Sequence, residues 1–99
     1  MAGFEGRVAL VTGGSRGIGA ATALLLAQRG CDVAINYQRN KEAADSVAEA
    51  VRAHGRRAGV YQADVASASD CEAMATAVTA ELGAVGILVN NAGVGSASV

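Results

Sequence analysis

Val8-Ala9-Leu10-Val11-Thr12-Gly13-Gly14-Ser15-Arg16-Gly17-Ile18-Gly19 places an apolar strand, a glycine-rich bend and a helix start within twelve residues. Gly13, Gly17 and Gly19 let the backbone turn sharply and let a diphosphate approach bare N–H groups at the positive end of the helix that follows. Ser15 and Arg16 lie inside the bend, free to reach phosphate or ribose, and Ile18 opens the helix between two glycines. Four of the seven residues from Gly13 to Gly19 are glycine, and Gly14 is not needed for the bend itself, an excess that points to a ligand. The alternative is a tight strand-to-helix turn that binds nothing. No Lys follows Gly17 or Gly19, so the triphosphate loop ending in Gly-Lys-Ser/Thr is not matched.

Outward from this bend, strand and helix signals alternate. The pattern predicts strands over about 7–12, 33–36, 58–62 and 87–90, and helices over about 18–29, 41–54 and 69–82. Ile18, Ala21, Thr22, Leu25 and Leu26 set the helical spacing of the first helix, and Gly30, Gly55 and Gly83 stop the three helices in turn. Ser69-Asp70-Cys71-Glu72 reads as a capping box at the third helix start. The strands do not alternate apolar with polar residues, as expected when helices cover both faces of a parallel sheet. The fold class is therefore α/β: a Rossmann-like doubly wound parallel sheet, incomplete, with element order βαβαβαβ and strand order 3-2-1-4. Strands one and four then lie side by side, and their carboxyl ends flank the switch point where ligands collect.

A hydrophobic fraction of 52% over 99 residues suits one small domain with a buried core, and the 3% of aromatic residues leaves its filling to Ala, Val, Leu and Ile. A formal charge of -1 gives no electrostatic reason to expect nucleic acid or an anionic membrane as partner. The apolar run at Val8–Val11 is too short for a signal peptide or a spanning helix, so a soluble, cytoplasmic protein is the expectation. Cys31 and Cys71, expected at opposite edges of the sheet, are read as reduced small side chains. No cluster has metal-ligand spacing, and His54 has no nucleophile placed beside it. Arg52, His54, Arg56 and Arg57 read as positive charge favourable beside the C-terminus of the second helix.

Thr12 to Gly19, taken with Asn90-Asn91-Ala92-Gly93, resembles the short-chain dehydrogenase/reductase family, whose signatures are Thr-Gly-x-x-x-Gly-x-Gly and Asn-Asn-Ala-Gly. The likeness covers essentially the whole chain, which looks similar to 3-oxoacyl-carrier-protein reductases and glucose 1-dehydrogenases. It implies an oxidoreductase that interconverts a carbonyl and an alcohol on a small molecule by hydride transfer, with a homo-oligomeric longer protein. It implies that Asp64 and Val65 border the adenine ring, and that Asn91, Ala92 and Gly93 run along the adenosine ribose and the middle of the cofactor. Many members of that family carry Asp where this chain has Gly86.

An acid about twenty residues past the glycines would hold the ribose 2′-hydroxyl of NAD. Here the residues are Asn36, Tyr37, Gln38 and Arg39, while Asp32 sits at the other end of the strand. Arg39, with Arg16, can pair with a 2′-phosphate, so NADP is expected in preference to NAD. The family works through a Tyr-x-x-x-Lys pair. Tyr37 and Lys41 have that spacing but lie on the adenosine side, away from any substrate, so no catalytic residue is assigned. Residues 1–99 thus read as the dinucleotide-binding part of a single domain, cut before its catalytic segment and inactive alone. A non-catalytic dinucleotide-sensing module is the alternative reading.

Overall fold

The computed structural model describes residues 4–91. Its elements are β1 (Val8–Thr12), α1 (Gly17–Gln28), β2 (Asp32–Tyr37), α2 (Lys41–Ala53), β3 (Ala58–Gln62), α3 (Ala68–Glu81) and β4 (Val85–Asn90). All strand pairings are parallel and the sheet order is β3-β2-β1-β4, as expected.

β1 and β2 are buried along their whole lengths because helices cover both faces. Ala9, Val11, Val33 and Ile35 face Ala23, Leu26 and Ala27 of α1 and Ala44, Val47, Ala48 and Val51 of α2. Val8, Leu10, Ala34 and Tyr61 join Met74 and Val78 of α3 and Leu82 beyond it on the other side. Alanines at the helix contacts let the helices approach the sheet closely, which is how a chain this poor in aromatics fills its core.

The buried face of α1 differs from expectation. Gly19, Ala23, Leu26 and Ala27 are buried, whereas Ile18 and Leu25 are 71% and 49% exposed. The helix is apolar nearly all round, so its pattern alone does not choose a face. The contact of Gly19 with the bend fixes the rotation.

α2 carries its apolar residues at 44, 47, 48 and 51, one stripe of a helix, and Asn40 caps it by accepting from the Ala43 amide at 3.0 Å. At α3 the cap is Ser67, not Ser69: its Oγ accepts from Asp70 N at 3.2 Å. Ser67-x-x-Asp70 overlaps the Ser69-x-x-Glu72 spacing two residues on, and the extended backbone of Ser67 decides between them. Asp70 does not close the box; its carboxylate accepts from Asp64 N at 2.9 Å and ties the exit of β3 to the helix.

β4 starts two residues earlier than the pattern suggests, and its residues alternate between half-buried and exposed. Leu88 is 62% exposed. Continuous burial therefore fails at this strand, which has only β1 as a neighbour among the described residues. Gly86 falls where the β1–β4 register slips, between the Val8–Val85 and Ala9–Ile87 pairs.

The basic run also acts at a distance from its own helix end. Arg52 bonds Glu49 and the Ala58 carbonyl. Arg57 pairs with the buried Asp32 at 3.2 Å and donates to Leu82 O at 2.7 Å and Glu81 O at 3.3 Å, so it caps α3 rather than α2. Arg56 lies 3.4 Å from the same Asp32. Tyr61 Oη donates to Glu81 at 2.7 Å; burial first, and this bond second, push the phenol pKa up. Both cysteines are free, Cys31 buried and Cys71 half-buried.

Candidate dinucleotide site

Because every strand pairs in parallel, the residues following β1, β2, β3 and β4 all emerge at one edge of the sheet. The bend after β1 stands at the centre of that edge. Gly13 and Gly17 adopt φ of 63° and 61°, a left-handed backbone that favours glycine. Gly19 is required for a different reason: a Cβ there would overlap Gly13 O and lie 2.7 Å from Asn91 Nδ2. Gly14 corrects the earlier reading. Its Cβ would stand 3.1 Å from both Ile35 Cγ2 and Val11 O, so its bareness is a matter of close contact with the sheet and carries no argument for a ligand.

Two hydrogen-bonded ties hold the bend. On the β4 side, Thr12 Oγ1 accepts from Asn91 N at 2.8 Å, and its hydroxyl proton has Val89 O and Asn90 Oδ1 within reach at 3.3 and 3.2 Å. Asn91 Nδ2 donates to Gly13 O at 3.3 Å. On the β2 side, Asn36 Oδ1 accepts from Gly13 N at 3.0 Å and Asn36 O accepts from Gly14 N at 2.9 Å. The amides of Gly13 and Gly14 are thus engaged within the protein.

The amides left for a ligand are those at the start of α1. Arg16 is its N-cap residue and makes no side-chain cap bond, in contrast to Asn40 at α2 and Ser67 at α3. The first-turn N–H groups of Gly17, Ile18 and Gly19 have no partner within a helix by construction. Arg16, Gly17 and Ile18 are exposed and Ser15 is half-buried, so this end opens to solvent. An uncapped helix end of this kind has the free N–H groups and positive dipole that suit an anion.

The other predicted residues divide. Asn36, named because it stands at the strand end where the cofactor ribose is read, is 2% exposed with its amide engaged within the protein, so its side chain points inward and away from a ligand. Tyr37 is likewise corrected: it belongs to the core beneath α1 and α2. Lys41 bonds Asp45 at 3.0 Å, which pushes its ammonium pKa up, and the Tyr37-to-Lys41 spacing makes no catalytic pair. Arg39 is exposed on the same edge as the bend. Among the described residues neither Arg16 nor Arg39 has an ion-pair partner. Asp64 is half-buried, accepts from Ala66 N at 3.0 Å through Oδ1, and sits beside the 37% exposed Val65. Ala92 and Gly93 lie outside the described residues. Thr12, read from the sequence only as the first residue of the Thr-Gly-x-x-x-Gly-x-Gly signature, and Asp70, read only within a capping box, prove to tie the site's segments together.

No described helix is long and apolar enough to cross a membrane. Among the described residues no group of three or more His, Cys, Asp or Glu can hold a metal ion.

A family model described as short chain dehydrogenase matches residues 7–99. An oxidoreductase of Escherichia coli described as uncharacterized is 52% identical over 87 residues, 88% of this chain and 35% of the relative. A 3-oxoacyl-[acyl-carrier-protein] reductase of Staphylococcus aureus is 48% identical over 86 residues, 87% of this chain and 35% of the relative. The chain therefore spans about a third of the length of these curated relatives. A solved short chain dehydrogenase from Burkholderia cenocepacia, in complex with NADP, superposes with a TM-score of 0.87 at 48% identity, covering 92% of this chain and 37% of the other.

Proposed function

The chain belongs to the short-chain dehydrogenase family, and on that premise we propose that it is the cofactor-holding part of an NADP(H)-dependent oxidoreductase interconverting a carbonyl and an alcohol. The observation that carries the reading is the uncapped start of α1, the one helix of three among the described residues without a side-chain cap, at the centre of the sheet edge. Gly17, Ile18 and Gly19 would hold the diphosphate through their amides, with Ser15 beside it. Bound NADPH supplies the hydride; this chain's residues bind and orient it. Asp64 and Val65 would flank the adenine, and Asn91, Ala92 and Gly93 the middle of the molecule.

Preference for NADP over NAD rests on charge. The end of β2 offers no carboxylate to a ribose 2′-hydroxyl, and Arg16 and Arg39 are free among the described residues to pair with a 2′-phosphate. The NADP complex of the Burkholderia cenocepacia relative supports the same choice. No Tyr-x-x-x-Lys pair stands near the substrate side of these residues, so hydride transfer would need groups outside them.

Titrating NADPH and NADH into the purified chain tests the reading. NADPH is expected to bind more tightly, and Arg39→Ala to weaken it about tenfold while leaving NADH unchanged, the loss of one charge-assisted contact. Equal or tighter binding of NADH would overturn the NADP assignment. With a carbonyl substrate the chain alone is expected not to consume NADPH.

A further inference from the structure

The Asn36 side chain joins two parts of the site. Its Oδ1 accepts from Gly13 N at 3.0 Å, and its Nδ2 donates to Tyr61 O and Ala63 O, both at 3.2 Å. The amide orientation is fixed by chemistry: a flip would set NH2 against the Gly13 N–H and the oxygen against two carbonyls. Gly13 begins the bend; Ala63 immediately precedes Asp64 and Val65. The group is 2% exposed, so water does not substitute for either tie.

We propose that Asn36 is a positioning residue that sets the distance between the phosphate seat at α1 and the adenine-side residues after β3, so that one dinucleotide meets both. The inference rests on the dinucleotide reading above. A ligand that touches both places gains from their being held in register, because the second contact then forms at high effective concentration. A ligand that touches one place gains nothing from the tie. Backbone bonds hold the bend to β2, Gly14 N to Asn36 O at 2.9 Å, and β2 to the segment after β3, Ala63 N to Tyr37 O at 3.0 Å; the Asn36 side chain adds a direct link from Gly13 N to Ala63 O across them.

The test compares wild type with Asn36→Ser and Asn36→Asp, the second keeping an acceptor for Gly13 N while turning an oxygen toward Tyr61 O and Ala63 O. Binding of NADPH, of adenosine and of inorganic pyrophosphate is measured on protein shown to be folded by circular dichroism. The expected result is a loss of about tenfold for NADPH, with less than about a twofold change for either half-ligand. Equal weakening of all three, or unchanged NADPH affinity, overturns the proposal. If neither variant folds, wild type decides: pyrophosphate alone should shift the amide resonances of both Gly13 and Asp64, and shifts confined to residues 13–19 overturn it. Failure of wild type to bind NADPH would instead sink the dinucleotide reading itself.

Discussion

Three glycines of the bend are bare for two kinds of reason, a left-handed backbone at Gly17 and close contact at Gly14 and Gly19, and substitutions separate them. Gly19→Ala drives a methyl into Gly13 O and toward Asn91 Nδ2, backbone and an anchored amide that cannot swing away. It should cost about 1–3 kcal/mol and abolish NADPH binding, read by chemical denaturation and by titration. Gly17→Ala meets open space but must hold φ near +61°, a strain of about 1–2 kcal/mol. Gly14→Ala requires Ile35 to yield by a few tenths of an ångström. The predicted order of destabilisation therefore places Gly19 above Gly17. That glycine spacing was readable from the residues; which glycine turns the chain and which admits a neighbour was not. Asn36 shows the same limit: its chemistry was visible at the strand end, its inward direction was decided by Gly13 and Ala63, 23 and 27 residues away.

At the scale of elements, helix ends govern both stability and function. Arg57 holds the last carbonyls of α3 while pairing with the buried Asp32 at the start of β2. Arg57→Met keeps the aliphatic stem and removes the guanidinium bonds to Asp32, Glu81 O and Leu82 O, leaving Asp32 with the backbone N–H of residue 57 at 3.0 Å and the longer Arg56 contact, so a loss of about 1–2 kcal/mol is expected in thermal or urea unfolding. The Tyr61–Glu81 bond links β3 to α3 and makes stability pH-dependent. The folded phenol titrates above its unfolded value of about 10, so the contribution is complete below that pH. As pH rises beyond it the unfolded chain loses its proton first, and stability falls; Tyr61→Phe should flatten that alkaline decline in urea midpoints. Element positions were legible because helix stops are local: Gly30, Gly55 and Gly83 act where the sequence places them. The α3 cap was misplaced by two residues because Ser67-x-x-Asp70 and Ser69-x-x-Glu72 are chemically alike. The face of α1 was missed because a helix with Ile18, Leu24, Leu25 and Leu26 offers apolar residues in every direction.

For the whole molecule, a parallel sheet with order β3-β2-β1-β4 brings the ends of all four described strands to one edge, and the switch point between β1 and β4 leaves the gap at which α1 presents its first-turn amides. Strand order followed from the alternation of elements and the handedness of crossovers. The alternating exposure of β4 did not, because VGILVN reads as a buried run whether or not both its faces are covered. The account depends on the start of α1 being the seat of a diphosphate. Amide resonances of the isotopically labelled chain, followed as NADPH is added, test this most directly. The largest saturable shifts should fall on Gly17, Ile18 and Gly19, while the amides of Gly55 and Gly83, at the opposite edge of the sheet, stay in place. Saturation that leaves Gly17–Gly19 unmoved, or no saturable shift anywhere, would contradict it.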